Sequence, residues 1–310
     1  MQNENTSLEQ NTILEIKNLS RTFGEQIALN NISLNVKKGQ VFGIVGENGA
    51  GKTTLIKHLL GQYIAQQGSV ILFDLDPVEE PEKVLAKIGY LSEEPELPAW
   101  MTVKELLNYT AAFYPNWDHQ YASELTDVFS LQLNKKISEL SKGQKARVAL
   151  VLAQAHRPEL LLLDEPSSGL DPNVRRDILS AIIKTVADDG KTVIFSSHLL
   201  EEVERVSDHL MMLDSGKILL SDSMENVLAT HHRFVIKEND VSNIKNLREY
   251  FFPFGLFNCI KNSNEFVLDF EGVKNAIEKS ISDNSLEITS HRNMSLNDIF
   301  VSRSDAYKGV

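Results

Sequence analysis

Eight residues near the N-terminus constrain the fold of this chain more than any other feature. Residues 46–53 read Gly-Glu-Asn-Gly-Ala-Gly-Lys-Thr and match the phosphate-loop spacing G-x-x-x-x-G-K-[ST]. A mostly apolar run at 40–45 predicts a buried strand before them, and residues 54–60 predict a helix that ends at Gly61. A glycine-rich turn between strand and helix points successive backbone N–H groups inward, so that they form an anion-binding concavity at the helix N-terminus. The sequence therefore predicts a nucleoside triphosphate site.

The residues of this loop divide into side-chain ligands and backbone donors. Lys52 is expected to reach the β- and γ-phosphates, and the Thr53 hydroxyl is expected to bind Mg²⁺. The other residues predicted to contact the nucleotide are Gly46, Asn48, Gly49, Ala50, Gly51 and Thr54.

Composition excludes several classes of protein. The formal net charge of -12 over 310 residues argues against a nucleic-acid binder, which needs a basic surface. The single cysteine, Cys259, excludes an internal disulfide framework and is expected to be a buried, inert thiol in a reducing compartment. No apolar run is long enough to span a bilayer, and residues 1–10 lack the features of a signal peptide. If the protein works at a membrane, we expect another chain to supply the membrane part.

The pattern of elements predicts an α/β fold. Disorder is expected at 1–11, followed by a large domain at 12–222 and a small α+β accessory domain at 223–310. Short strands predicted at 14–17 and 32–36 alternate in the manner of an antiparallel subdomain. Apolar strands that alternate with helices after them predict a mostly parallel sheet covered on both faces. Prolines and helical patterns at about 95–140 predict a helical insert in this core.

A second cluster of polar residues follows the apolar strand predicted at 160–163. Asp164 and Glu165 end this strand, and ligands of open α/β sheets gather at the carboxyl ends of strands. Asp164 is expected to bind Mg²⁺ directly or through water, and Glu165 to orient or deprotonate an attacking water. The alternative is an ordinary acidic turn before Pro166.

A third motif lies at 140–147, Leu-Ser-Lys-Gly-Gln-Lys-Ala-Arg. Ser141 suits a helix N-cap, and Gly143 leaves the neighbouring backbone amides accessible. With Lys142 adjacent, Ser141 and these amides predict a second anion site, unless the segment is only a capped helix with a basic, solvated face.

Residues 140–144 resemble the LSGGQ signature of the ATP-binding subunits of ABC transporters, with Lys142 in place of a glycine. The resemblance implies a P-loop NTPase core that uses ATP and Mg²⁺. It also implies a head-to-tail dimer in which Ser141, Gly143 and Gln144 of one subunit cap the γ-phosphate held by another. Further motifs of the family occur in order: Phe23 at the position that stacks on adenine, Asp171 in a D-loop at 168–171, and His198 as the switch histidine. Taken singly, Phe23 is more typical of a core residue and His198 of a structural histidine.

Glu93 departs from the family pattern. The resemblance implies a glutamine here, after the strand at 88–91, which touches Mg²⁺ and the attacking water. A carboxylate ligates Mg²⁺ at least as well but, when ionised, does not donate a hydrogen bond. Glu93 is therefore expected to be a metal contact, together with Thr53 and Asp164.

The helical insert is where the family docks a helix of the membrane subunit. Trp100, Phe113, Tyr114 and Trp117 could contribute to that groove, but we expect these aromatic residues to belong to the core.

The resemblance spans residues 13–221, and a weaker likeness at 293–300 indicates ATPases of ABC-2-type exporters. It implies an ATPase at the cytoplasmic face of the plasma membrane that pairs with a second ATPase subunit and drives a separate multi-span permease. A non-transport ABC ATPase acting on a cytosolic complex is the alternative. A regulatory module that binds ATP without hydrolysing it is disfavoured, because Glu165 and His198 are both present.

Overall fold

The computed structural model describes residues 11–237, 247–262, 264–284 and 286–308. Apart from Asn11, the predicted disorder at 1–11 lies outside the described residues. Internal contacts divide the chain into two compact units, Met1–Leu220 and Ser221–Val310.

The first unit contains most of the strands and helices, and its last strand ends three residues beyond Leu220. In chain order these are β1 (Thr12–Phe23), β2 (Gln26–Lys37), β3 (Val41–Val45), α1 (Lys52–Leu59), β4 (Gln67–Leu72), α2 (Pro81–Leu85), β5 (Ile88–Leu91), α3 (Val103–Ala111), α4 (His119–Val128), α5 (Lys142–Gln154), β6 (Leu160–Leu163), α6 (Pro172–Asp189), β7 (Thr192–Ser197), α7 (Leu200–Val206), β8 (His209–Asp214) and β9 (Lys217–Ser223).

The described residues of this unit form two sheets. Strands β2, β1 and β4 form an antiparallel sheet, in which β1 and β2 are each 12 residues long rather than the short strands predicted. The second sheet has the order β5-β6-β7-β3-β8-β9, and its pairs from β5 to β8 are parallel. The predicted parallel core with an antiparallel subdomain is therefore confirmed.

The order of the parallel strands decides where the predicted site residues lie. The carboxyl ends of β5, β6, β7 and β3 are adjacent, because Leu91 pairs with Leu163 and Val45 pairs with Ser197. All four residues of β6 are leucines buried on both faces, as a central parallel strand requires. The loops after these four strands consequently meet at one edge of the sheet.

The helical insert has its own small core, formed by Met101, Val103, Leu106, Ile137, Leu140 and Val148. Helix α3 begins with a capping box in which Thr102 and Glu105 bond each other's backbone N–H groups. Two of the aromatic residues expected in the core are instead exposed, Trp100 at 72% and Phe113 at 65%. The prediction was wrong for them because helical periodicity does not show which face of an insert is covered. Tyr114 and Trp117 are half-buried, and Tyr114 stacks on His156.

The second unit is built on a four-stranded antiparallel sheet with the order β11-β12-β10-β13. Its elements are α8 (Met224–Thr230), β10 (His231–Lys237), α9 (Leu247–Phe251), β11 (Leu256–Asn262), β12 (Glu265–Glu271), α10 (Lys274–Asp283), β13 (Ile288–Asn293) and α11 (Leu296–Lys308). Phe234, Phe251, Phe270, Ile277 and Ile281 are central to its core. Cys259 packs against that core but is only half-buried, so the predicted burial of this thiol is partial. Burial raises the pKa of its thiol, consistent with low reactivity.

Across the described ranges, we find no helix that combines the length and the apolar character needed to cross a bilayer.

Candidate functional site

The phosphate-loop residues line a cleft of ≈ 400 Å³ in the first unit. The residues that line it are Phe23, Gln26, Ala28, Asn48, Gly49, Gly51, Lys52, Thr53, Thr54, Glu93 and Glu165. The structure thus brings together the loop, the aromatic candidate and two of the acidic candidates, which are separated by up to 142 positions in sequence.

The conformation of the loop explains its glycines. Gly51 has φ +111° and Gly49 has φ +84°, values that L side chains rarely adopt. A Cβ atom at Gly51 would overlap the Ala28 carbonyl oxygen, and one at Gly46 would overlap the Leu213 carbonyl oxygen. Nothing lies within 4 Å of a Cβ position at Gly49. Gly46 and Gly51 are therefore fixed by close packing, whereas Gly49 is fixed by backbone conformation alone.

The Lys52 ammonium group lies at the centre of the loop. It donates to the carbonyl oxygens of Gly46 at 2.6 Å and Glu47 at 3.1 Å. Its Nζ atom lies 3.0 Å from Oε1 of Glu165, in an ion pair that is buried on both sides. A lysine ammonium group forms strong hydrogen bonds to phosphate oxygens when one of them replaces a protein oxygen beside it.

Asp164 lies behind the loop and is buried. Its Oδ1 atom accepts a hydrogen bond from the Ser196 hydroxyl at 2.7 Å. Its carboxylate also accepts a hydrogen bond from the Thr53 side chain. Burial raises the pKa of Asp164, the two hydrogen bonds oppose that shift, and the charges of Glu165 and Glu93 add to it. Thr53 and Asp164, both predicted metal ligands, are therefore in direct contact.

Glu165 joins the acidic pair to the loop after β7. Its Oε2 atom accepts from Nδ1 of His198 at 2.7 Å and from the backbone N–H of His198 at 3.3 Å. The backbone of Glu165 is left-handed, with φ 48°, and its N–H donates to the Ser196 hydroxyl at 2.9 Å. Ser196 therefore contacts both carboxylate residues. Sequence reasoning missed it, because a lone serine in an apolar strand carries no pattern.

Phe23 is 41% exposed at the rim of the cleft, so it is not a core residue. Its ring meets the ring of Tyr63 edge to face, with centroids 5.6 Å apart. The Arg21 guanidinium lies 4.7 Å from the Phe23 ring and 4.8 Å from the Tyr63 ring. Cation–π and edge-to-face contacts thus hold Phe23 in place, and Arg21 and Tyr63 were not among the predicted residues.

Glu93 lies at the cleft and accepts a hydrogen bond from the Ser168 hydroxyl at 2.9 Å. A glutamine at this position could also accept that bond. The acid thus connects the loop after β5 with the segment that precedes Asp171.

The remaining predicted residues do not line this cleft in the part of the chain that the structure describes. Ser141 caps α5 in a capping box with Gln144, and Asp171 accepts from the backbone N–H groups of Asn173 and Val174 at the start of α6. A Cβ atom at Gly143 would lie 2.8 Å from Cγ2 of Val174, so this buried glycine permits close helix packing. Within one chain, this signature segment therefore serves helix capping and packing.

The donor set at the cleft fits Mg²⁺ held jointly with nucleotide phosphates. Among the residues that the structure describes, no group of three or more His, Cys, Asp or Glu side chains forms a complete metal site. Mg²⁺ typically uses one or two carboxylates together with substrate phosphates and waters. The Thr53 hydroxyl and the Asp164 carboxylate provide such a partial set, and the nearby negative charges of Glu93 and Glu165 favour a divalent cation.

Comparison with known proteins agrees with this geometry. The ABC transporter family matches residues 29–168. The chain is 34% identical over 206 residues to the ABC transporter ATP-binding protein YtrB of Bacillus subtilis, covering 66% of this chain and 70% of the relative. It is 33% identical to the bacitracin transport ATP-binding protein BcrA of Bacillus licheniformis, with 67% of this chain and 69% of that protein covered.

Solved structures show the same fold. The structure of an ATP-binding subunit of an ABC transporter superposes with a TM-score of 0.64 at 29% identity, covering 70% of this chain and 92% of the other. The dimeric ATP-binding cassette MJ0796, in a post-hydrolysis state with ADP and Pi, gives a TM-score of 0.61 at 26% identity, covering 68% of this chain and 99% of the other. The chain belongs to the ABC transporter family and carries that family's ATP-binding, ATP-hydrolysing domain.

Proposed function

We propose that this protein is the Mg²⁺-dependent ATPase subunit of an ABC exporter, which dimerises on ATP and drives a separate membrane permease. One observation carries the proposal: Glu165 contacts both Lys52 and His198, at 3.0 Å and 2.7 Å, at the edge of the phosphate-loop cleft. A carboxylate in this position can act on a water that attacks the γ-phosphate.

The predicted site residues have distinct roles in this chemistry. Lys52 and the loop amides hold the phosphates, and Phe23 stacks on the base. Thr53, Asp164 and Glu93 hold Mg²⁺, which when bound neutralises charge on the β- and γ-phosphates. Glu165 polarises the attacking water, and His198 orients Glu165 and senses the γ-phosphate. Catalysis is then mainly positioning and charge stabilisation.

We infer dimerisation because a single chain does not bring all of the predicted site residues to the cleft. Ser141, Gly143 and Gln144 do not line the cleft of their own chain, so a second copy placed head to tail supplies them. The helix N-terminus at Ser141 then faces the γ-phosphate, where anions are favoured. The dimeric state of the structurally similar cassette MJ0796 supports this arrangement.

Transport as the purpose of hydrolysis is supported by the relatives. The similar BcrA proteins of two species are named for bacitracin transport. The exposed aromatic residues Trp100 and Phe113 on the helical insert offer a contact surface for a permease helix. We place the protein at the cytoplasmic face of the plasma membrane through that contact.

Two measurements test the proposal. Sedimentation of a Glu165→Gln variant with Mg²⁺ and ATP is expected to give a dimer, whereas a Lys52→Ala variant is expected to stay monomeric. Isolation of the tagged protein from native membranes is expected to recover a multi-span partner. A strictly monomeric Glu165→Gln protein under all nucleotide conditions would refute the dimer, and a wholly cytosolic complex would refute transport.

A further inference from the structure

A buried acid outside the cleft contacts the segments that carry the two proposed catalytic side chains. Glu202 lies in the first turn of α7 and is only 4% exposed. Its carboxylate accepts from the Ser167 hydroxyl at 2.8 Å and 2.7 Å, and from the Ser197 hydroxyl at 2.9 Å. Nε of Arg175, from α6, lies 3.2 Å from its Oε1 atom.

The positions of these partners in the chain matter. Ser167 is two residues after Glu165, and Ser197 immediately precedes His198. Ser197 also accepts from the backbone N–H of Leu199 at 3.0 Å, so its hydroxyl braces the turn that presents His198. We propose that Glu202 is a positioning residue for ATP hydrolysis, which aligns Glu165 with His198 by anchoring both of their loops. This inference rests on the roles proposed above for Glu165 and His198.

The cost of burying the Glu202 carboxylate indicates that its charge has a function. Burying a carboxylate is costly unless it is paired and hydrogen-bonded, and an apolar residue could fill the same space without that cost. The carboxylate accepts hydrogen bonds from two hydroxyl groups and is ion-paired with one guanidinium, and these partners come from three different segments. A neutral side chain of similar size cannot accept all of these bonds at once.

The backbone of Glu165 needs such support. Glu165 is a non-glycine residue with φ 48°, a left-handed conformation that L side chains adopt only at a cost in energy. The turn that follows closes when the Ser168 N–H donates to the Glu165 carbonyl at 3.0 Å, and Ser167 lies inside this turn. Loss of the Glu202 anchor would relax the turn on one side and the His198 loop on the other. Misplacement by about 1 Å is enough to reduce turnover about a hundredfold.

The test compares Glu202→Gln with Glu201→Gln, an exposed neighbour in the same helical turn. We expect Glu202→Gln to lower kcat at least about tenfold while the affinity for ATP stays within about twofold, and Glu201→Gln to leave both unchanged. Ser197→Ala serves as a second variant if Glu202→Gln does not fold, because it removes one hydroxyl and leaves the acid in place.

A double variant separates positioning from general stability. In a Glu165→Gln background, Glu202→Gln is expected to have little further effect on the residual turnover, because its action passes through Glu165. If both substitutions lower turnover independently, or if Glu202→Gln lowers only thermal stability, the inference is wrong. If Glu202→Gln turns over ATP at the wild-type rate while Glu165→Gln is inactive, the inference about Glu202 is wrong but the proposed function stands. Wild-type turnover in Glu165→Gln would refute the proposed function itself.

Discussion

Oε2 of Glu165 lies 2.7 Å from Nδ1 of His198, and the backbone N–H of His198 donates to the same oxygen at 3.3 Å. The two residues are 33 positions apart in sequence but follow adjacent strands, β6 and β7. Because one carboxylate oxygen accepts from both groups of His198, the orientation of the Glu165 side chain is fixed. The other carboxylate oxygen is paired with Lys52.

Removal of the Lys52 ammonium group should weaken nucleotide binding. In Lys52→Ala we expect the Kd for ATP to rise more than about tenfold, since a hydrogen bond to a charged group contributes about 1.5–3 kcal/mol. Titration calorimetry measures this directly. Lys38→Ala, which changes an exposed lysine, is the matched control and should bind ATP normally. Equal affinities of the two variants would contradict the role of Lys52.

The two left-handed glycines of the loop should respond differently to substitution. Gly51→Ala combines an unfavourable φ with a clash against the Ala28 carbonyl, whereas Gly49→Ala meets no neighbouring atom. We expect Gly49→Ala to cost about 1–2 kcal/mol of unfolding free energy and Gly51→Ala to cost more. Urea denaturation and ATP titration of both variants test this order. A Gly51→Ala protein as stable as Gly49→Ala would show that the packing argument is wrong.

The buried charge of Asp164 should lower the stability of the fold while it provides a ligand for Mg²⁺. Burial raises the pKa of its carboxyl above the ordinary 3.8, so the folded chain holds this proton more tightly than the unfolded chain. Its contribution to stability therefore falls as pH rises from the ordinary pKa through the raised one. Without Mg²⁺, Asp164→Asn is expected to match or exceed the wild type in melting temperature at pH 7, and to lose that advantage near pH 4.

The same substitution should abolish Mg²⁺-dependent turnover, because an amide is a weaker ligand than a carboxylate for this cation. Thermal scans in a chelator and ATPase assays over a range of Mg²⁺ concentrations separate the two effects. Normal Mg²⁺ dependence in Asp164→Asn would exclude this residue as a ligand.

An ionic cluster should stabilise the second unit in a pH-dependent way. Asp298 accepts hydrogen bonds from Arg292 at 2.6 Å and 2.9 Å and from Arg233 at 3.1 Å. The hydrogen bonds from Arg292 are the main reason that the pKa of Asp298 lies well below the usual range. A lowered pKa adds stability above the ordinary value of 3.8, and this stability is lost as pH falls through the lowered pKa.

We therefore expect Asp298→Asn to destabilise this unit by about 1–3 kcal/mol at pH 7. Faster amide hydrogen exchange in β10 and β13 is the measurement. Asp305→Asn, at an exposed position of the same helix, should leave exchange unchanged. Unaltered exchange in Asp298→Asn at pH 7 would mean that the cluster contributes no net stability.

Local sequence patterns predicted the elements that present the site. The strands at 88–91 and 160–163 were predicted with the observed bounds, because short apolar runs between turns are buried on both faces. The loop between β3 and α1 was predicted because the spacing of its glycines, lysine and threonine reflects the backbone geometry of a phosphate-binding loop. Strands β8, β9, β11 and β13 were missed, since pairing with neighbouring strands decided their structure more than their own patterns.

Side-chain contacts across the sheet were beyond prediction. Ser196 and Glu202 contact residues 31 to 35 positions away, and no spacing rule relates a serine or an acid to such partners. The exposure of Trp100 and Phe113 was also missed, because an aromatic residue near a helix suits a core and a surface equally. The domain boundaries and the roles of the site residues stay predictions.

ATP turnover by purified Glu165→Gln protein tests the central claim most directly, since the substitution keeps the shape of the side chain and removes its charge. The account predicts that kcat falls by about 10²–10⁴, as for loss of a general base. It also predicts that the affinity for ATP with Mg²⁺ stays close to that of the wild type. Turnover equal to that of the wild type would contradict the role of Glu165 and the proposed function.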